Sequence, residues 1–212
     1  METYKYLGFW LDKHLNFKFH IESLSKKLKF TIGFFYRLKA CFARAARQKL
    51  VAGLFLSQLD YGDVIYRFAC PTTLASLDPL YHAALRFITY LPFRTHHCTL
   101  YAAVGWFSLG ARRLQHWYTF IYKAILGGIL PSYISSKFEL NQNGLNLRSN
   151  AWIRCVVPAF TSEVGKKCLA FYGPWSWNDL QKSLKLPTFI SVRRFKGIIF
   201  EKLAHSCNCW DA

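Results

Sequence analysis

Apolar positions along the chain change period several times, and each change predicts an element. Tyr4, Tyr6, Phe9 and Trp10 are β-formers grouped around Gly8 and predict a strand end and a turn. From Asn16 the period becomes helical: Ile21, Leu24, Leu28, Ile32 and Phe35 share one stripe, and Lys26, Lys27 and Lys29 are kept off it. A second helix is predicted from Arg44 to Leu59. It would bury Leu50, Val51, Leu54 and Phe55, with Arg44, Arg47 and Lys49 loading its first half. A third follows Pro71, capped by Thr72 or Thr73. Leu74, Leu77, Tyr81, Ala84 and Ile88 form its apolar face, and Pro92 stops it. A fourth starts at Ser108, turns Leu114, Trp117, Ile121 and Ile125 to one side, and ends at Gly127-Gly128 before Pro131.

Beyond that helix the signals weaken. "LNQNGLNLRSN", Leu140 to Asn150, is polar and turn-rich and reads as a linker. Ile153 to Phe160 reads as a strand or extended run, followed by the aromatic segment "CLAFYGPWSWNDL". A last amphipathic helix from Ser191 to Leu203 carries Val192, Phe195, Ile199 and Leu203. Together these elements predict a mainly α fold: a helical bundle preceded by a short β-hairpin and followed by a small α+β C-terminal region. The expected divisions are 1–15 for the hairpin, 16–139 for the helical region, 140–150 for the linker and 151–212 for the C-terminal region.

Composition adds a partner. Hydrophobic residues are 52% of the 212, enough to bury a core, while 28 Lys and Arg against 11 Asp and Glu leave a net charge of +17. A surface that positive attracts polyanions, so nucleic acid is the first expected partner and an anionic membrane surface the second. No secretory signal opens the chain, and the longest stretch free of Asp, Glu, Lys and Arg, Thr95 to Ala111, falls short of a membrane span. The seven cysteines are odd in number and scattered, which suits a reducing intracellular compartment, nuclear or cytoplasmic, rather than secretion.

Candidate chemistry is sparse. "SQLDYGDVIY" places Asp60 three residues before Asp63 around a Tyr61-Gly62-Asp63 turn. Two-metal nucleotidyl transfer needs clustered carboxylates, and elsewhere the acidic residues are dispersed. This pair reads as a helix-end turn, with Arg67 as a nearby partner. His96-His97-Cys98 offers only adjacent ligands. His205-x-Cys207-x-Cys209 alternates three ligands, with no second spaced cluster to complete a zinc site. No nucleophile elbow and no phosphate loop occur. Neither a metal nor another cofactor is expected, nor a small-molecule substrate or catalytic residues. Lys26, Lys27, Lys29, Arg37, Arg44 and Arg47, extended by Arg112, Arg113, Arg193 and Arg194, are the candidate contacts to a nucleic-acid backbone. Trp10, Trp106, Trp117, Trp175 and Trp177 sit in apolar surroundings and read as core.

"YKYLGFWLDKHLNFKFHIESLSKKL" resembles the segment of non-LTR (LINE-type) retrotransposon reverse transcriptases that follows the catalytic palm. In that family a Tyr-Leu-Gly hairpin forms the primer grip and a His-Ile pair opens the first thumb helix; here they match Tyr6-Leu7-Gly8 and His20-Ile21. "LDYGDVIY", "LDPLYHAALRFITYLPFRTHHCTLY", "VGWFSLGARRLQHWYTFIYKAI", "PSYISSKF" and "CLAFYGPWSWNDLQKSL" are similar to its thumb and later regions, so the likeness runs from about Tyr4 to Phe200. The resemblance implies a thumb-like bundle and a primer-grip-like Tyr6, Leu7 and Gly8. The family's Ala-Asp-Asp catalytic turn precedes that hairpin, and this chain starts too late to hold it. The expectation is a polymerase fragment that performs no catalysis as it stands and at most binds RNA or RNA–DNA duplex backbone without sequence preference. A non-functional relic and a basic membrane-surface protein are the alternatives.

Overall fold

The computed structural model describes residues 3–141 and 152–204. The chain is mainly helical, with one two-stranded antiparallel sheet at its start. It divides into two compact units, the first reaching Arg113 and the second spanning Leu114–Leu203. That division falls at Arg113/Leu114. Of the linker expected at 140–150, all but Leu140 and Asn141 lies outside the described residues.

In the first unit β1 (Thr3–Tyr6) pairs with β2 (Phe9–Asp12) through a two-residue loop. Leu7 (φ 45°) and Gly8 (φ 88°) both take positive φ, as a tight hairpin turn with right-handed strand twist requires. Glycine adopts that conformation freely and leucine does not. The Tyr61 hydroxyl donates to the Leu7 carbonyl at 2.8 Å and holds the turn. The next corner is built by Asp12: its Oδ1 accepts from the His14 and Asn16 amides at 2.9 and 3.2 Å, its Oδ2 from Phe17 at 3.0 Å. Burial alone would raise this carboxyl, but the three amides outweigh it and hold it below its usual value.

Helix α1 (Lys18–Arg37) buries His20, Ile21, Leu24, Leu28 and Phe35; of the predicted stripe Ile32 is only half-buried, and His20 is added to it. Its apolar side meets α6 (Asp78–Thr89), where Phe35 and Phe87 stack at 4.9 Å and 12°. Leu28, Val51, Phe55, Leu77, Tyr81, Leu85 and Ile88 complete a core in which each is essentially inaccessible to solvent. Each such side chain contributes on the order of 1.5–3 kcal/mol.

Two predicted helices differ in detail. The run from Arg44 is continuous but changes type: α2 (Arg44–Leu50) passes into a π-helical segment, Val51–Leu56, and then α3 (Ser57–Asp60). The wider i→i+5 turn brings every fourth residue into line, so Arg47, Val51, Phe55 and Leu59 are buried. Leu54, expected inside, is rotated out and 45% exposed. The helix after Pro71 is two: α5 (Pro71–Ala75) and α6, each with proline in its first turn. Pro79 has no amide to donate back to Ala75, so the helix restarts there. Thr72 and Thr73 lie within the first turn of α5 and its N-cap is Cys70, not a threonine. Two helices of the first unit escaped the pattern, the short α4 (Asp63–Tyr66) and α7 (His97–Val104), and in the second unit the aromatic segment proves to be helical, Leu169–Leu184.

α8 (Leu109–Leu126) has the predicted ends: Ser108 Oγ accepts from Ala111 N at 3.2 Å, and Gly127 and Gly128 take φ of 74° and 69°. Its later turns belong to the second unit, with α9 (Ser132–Ser135), α10 (Glu163–Lys166), α11 (Leu169–Leu184) and α12 (Val192–Ala204). Aromatic rings with polar handles dominate here. Trp117 Nε1 donates to Ser176 Oγ at 3.0 Å and Trp177 Nε1 to the Ile153 carbonyl at 2.9 Å. Tyr122 stacks on Phe195 at 4.0 Å while its hydroxyl donates to the Ile190 carbonyl and accepts from the Ile190 amide. The run Ile153 to Phe160 forms only an isolated bridge, Leu140 with Cys155. Asn178 takes the place of a neighbouring strand, accepting from Cys155 N at 2.9 Å and donating to its carbonyl at 2.8 Å. Trp175, expected in the core, is 46% exposed, on the opposite side of α11 from buried Trp177. No helix among the described residues is long and apolar enough to cross a membrane.

Candidate functional site

The predicted basic residues fall into three groups. Lys26 and Lys29 are exposed on α1 and, with Lys18, form one wall of a groove of about 650 Å³ between α1 and the α5–α6 corner. Thr72, Thr73 and Ser76 line the facing wall; Glu22, on α1 beside the lysines, is the single acidic residue lining the groove. Lys18 to Lys29 spans about 16 Å of helix axis. Lysine ammonium groups opposite hydroxyls are the donor set that contacts sugar-phosphate backbone. Lys27 leaves α1 on another side, beside a smaller cavity of about 370 Å³ that also takes in Gly8, His20 and Tyr61.

A second group stands elsewhere, exposed except for half-buried Arg113. Arg37 Nε donates to the Gly33 carbonyl at 3.4 Å, and Arg44 donates to the Ala103 carbonyl. Arg113 lines a cavity of about 440 Å³ with Asp78 and His97. Arg193 and Arg194 are exposed on α12 in the second unit.

The third group does not face solvent as expected. Arg47 is 4% exposed, its guanidinium 3.6 Å from the centre of the Tyr90 ring. Arg112 makes a two-pronged ion pair with Asp60, Nε to Oδ1 at 2.7 Å and Nη2 to Oδ2 at 2.5 Å. Burial alone would lower the Arg112 pKa, but the Asp60 hydrogen bond and charge raise it above its usual value. The sequence offered no signal for this pair, whose members stand 52 residues apart.

That ion pair also explains the Tyr61-Gly62-Asp63 turn. Asp60 is committed to Arg112, Asp63 is buried at the start of α4, and the turn between them carries the hairpin. Tyr61 stacks on Phe9 at 5.2 Å and 16°. Gly62 has φ 65°, and a Cβ there would lie 2.0 Å from Phe9 Cζ, so only glycine admits the ring. The turn is a dock for β2. The hairpin residues Tyr6 and Leu7 are 57% and 69% exposed, with Gly8 against the Tyr61 ring.

A further cluster surrounds the start of α7. His96, the N-cap, accepts from Cys98 N at 3.4 Å through Nδ1, and ligating atoms of His96, His97 and Cys98 all lie within 4.8 Å of one another. His82 of α6 stacks over His97 at 5.6 Å and 10°, and its Nε2 is 2.7 Å from the Tyr101 hydroxyl. Burial, then the neighbouring charges of His97, Arg86 and His96, push His82 down to about 4. Sequence showed the adjacent ligands; His82 and Tyr101 join them only through packing of α6 on α7. His205, Cys207 and Cys209 lie outside the described residues.

No protein-family model matches the chain, and neither curated proteins nor solved structures give a significant match.

Proposed function

We propose that the chain is a thumb-like fragment of a non-LTR reverse transcriptase whose own activity is to hold duplex nucleic acid by its backbone, without sequence preference and without catalysis. The observation that carries this is the groove on α1, with Lys18, Lys26 and Lys29 facing Thr72, Thr73 and Ser76 on a chain of net charge +17. α1 is 20 residues long, about 30 Å, close to one turn of duplex along its axis. The test is fluorescence anisotropy with RNA–DNA hybrids of unrelated sequence over a salt series. All sequences should bind alike, and log affinity should fall linearly with log salt, by roughly 0.9 per neutralised phosphate on B-form duplex. Affinity that ignores salt, or one sequence held far more tightly, defeats the reading. Primer extension by the purified chain would defeat its non-catalytic part.

A membrane-surface reading has one observation in its favour: Phe19, Phe30 and Phe34 stand exposed among the lysines of α1, Phe30 at 74%. Flotation with anionic vesicles in the absence of nucleic acid decides between the two.

A further inference from the structure

The cluster at the start of α7 lies outside the groove, and it is built from side chains that ligate soft metals rather than phosphate. We infer that His96, His97 and Cys98 form a zinc site with two nitrogen ligands, one thiolate and a water in the fourth position. Neither the basic groove nor the polymerase resemblance enters this inference.

The geometry comes from the way α7 begins. His96 has extended backbone (φ −61°, ψ 143°) and His97 is the first helical residue. That change of direction brings three consecutive side chains together, with the His96 and His97 rings 4.1 Å apart. In a tetrahedral zinc centre, bond lengths of about 2.0–2.1 Å to nitrogen and 2.3 Å to sulfur put ligand atoms about 3.3–3.6 Å from one another. The present upper limit of 4.8 Å closes to that by side-chain rotation, for which exposed His96 has room.

Two features beyond the three ligands support a site. The His97 ring is fixed by a neighbour: His82 stacks on it nearly parallel, and His82 is itself tied to the Tyr101 hydroxyl. Support of this kind, outside the ligands, orients metal-bound histidines. The charge also balances. The positive end of a helix opposes a bare cation but favours a thiolate in its first turn, where Cys98 stands. Two neutral imidazoles and one thiolate leave the bound ion with a single net positive charge. The mixed nitrogen and sulfur set selects zinc over magnesium or calcium, which prefer oxygen.

The test uses the full chain and reads each cysteine separately. The protein is alkylated with iodoacetamide with and without equimolar Zn²⁺, and labelling rates are taken peptide by peptide. Zn²⁺ should suppress Cys98 labelling, because a thiolate bound to metal is no longer free to attack, and a chelator should restore the rate. Exposed Cys41 and Cys70 are internal controls and should not change. A Cys98 rate that Zn²⁺ leaves alone, or slows no more than Cys41, overturns the site. A second measurement substitutes Co²⁺ in a chain carrying Cys207→Ser and Cys209→Ser, which removes the tail thiols as ligands. One Co²⁺ per chain with thiolate-to-metal charge-transfer absorption is expected, and Cys98→Ser should abolish that band with the melting temperature unchanged. A band that survives Cys98→Ser overturns the assignment.

Discussion

Lys26 and Lys29 stand in solvent on the outer side of α1, whereas Arg47 and Arg112 of the same unit turn inward, one onto the Tyr90 ring and one onto Asp60. All four carry one positive charge, and all four read alike in the sequence. What separates them is the phase of the helix that bears each. α1 keeps a regular period that leaves its lysines outside the buried stripe. In the second helix the π segment lines Arg47 up with Val51, Phe55 and Leu59. Position relative to the core therefore decides whether a cation is left facing solvent or is used in packing, and net charge alone does not. That division is open to attack from both sides.

The largest expected effect is on the inward side. Asp60→Ala leaves the Arg112 guanidinium without its carboxylate. Breaking a fully buried pair costs about 3–5 kcal/mol, but these side chains keep 23% and 24% exposure. Solvent screening brings the expected loss to about 2 kcal/mol. The measurement is a lower urea midpoint at unchanged m-value. Nucleic-acid binding by the folded variant should keep its salt slope. A changed slope would move Arg112 to the binding group.

On the outward side the signs reverse. Replacing Lys26, Lys27 and Lys29 together by glutamine should leave stability within about 0.5 kcal/mol, as for most surface changes. The salt slope of binding should drop by roughly 0.9 for each lysine that contacts a phosphate. Lys26 and Lys29 share the groove and Lys27 does not, so a double variant of the first two should reproduce most of the effect. An unaltered slope would take α1 out of the interface.

Lys27 links the two sides through His20, which is buried between Phe9 at 5.0 Å and Tyr66 at 5.4 Å. The Trp10 amide donates to His20 Nδ1 at 3.5 Å, a bond that a neutral ring accepts. Burial first, and then the charge of Lys27, lower the His20 pKa from 6.5. As pH falls through that value the unfolded chain takes up the proton before the folded one, so stability decreases with acidification. The melting temperature should fall between pH 7.5 and pH 5.5, and His20→Asn should remove part of that fall, the remainder belonging to His82, whose pKa burial also lowers. An equally steep fall in the variant would assign the effect to other histidines.

How much of this could be read in advance depends on how local each cause is. The ends of α8 were legible because Ser108 and Gly127-Gly128 act on the turns beside them. The stripe of α1 was legible because regular periodicity carries it. The π segment was not: it arises from i→i+5 bonding that residue type does not announce, and Leu54 was misplaced as a result. The Asp60–Arg112 pair, the seat of Phe9 on Gly62 and the stacking of His82 on His97 join residues far apart in the chain. For the same reason the basic residues could be enumerated from sequence while their division into a groove and a buried set could not.

Arg47→Leu is the smallest expected effect and the finest test of that division. Two of the Arg47 guanidinium nitrogens, Nε and Nη1, are buried without a hydrogen-bond partner among the described residues. The ring contacts are the visible return, at 3.6 Å to Tyr90 and 6.0 Å to Phe87. A desolvated cation over an aromatic face contributes about 2 kcal/mol, while leaving donors unsatisfied costs about 1–3 kcal/mol. These nearly cancel, and leucine keeps the apolar contact at a position aligned with Val51 and Phe55. The variant should therefore melt within about 1 kcal/mol of the parent, as apolar replacements of buried charges often do. Its affinity and salt slope for duplex should not change. A salt slope lowered as far as in the lysine variants would mean that Arg47 reaches solvent during binding, and burial in the free chain would then no longer sort packing cations from binding ones.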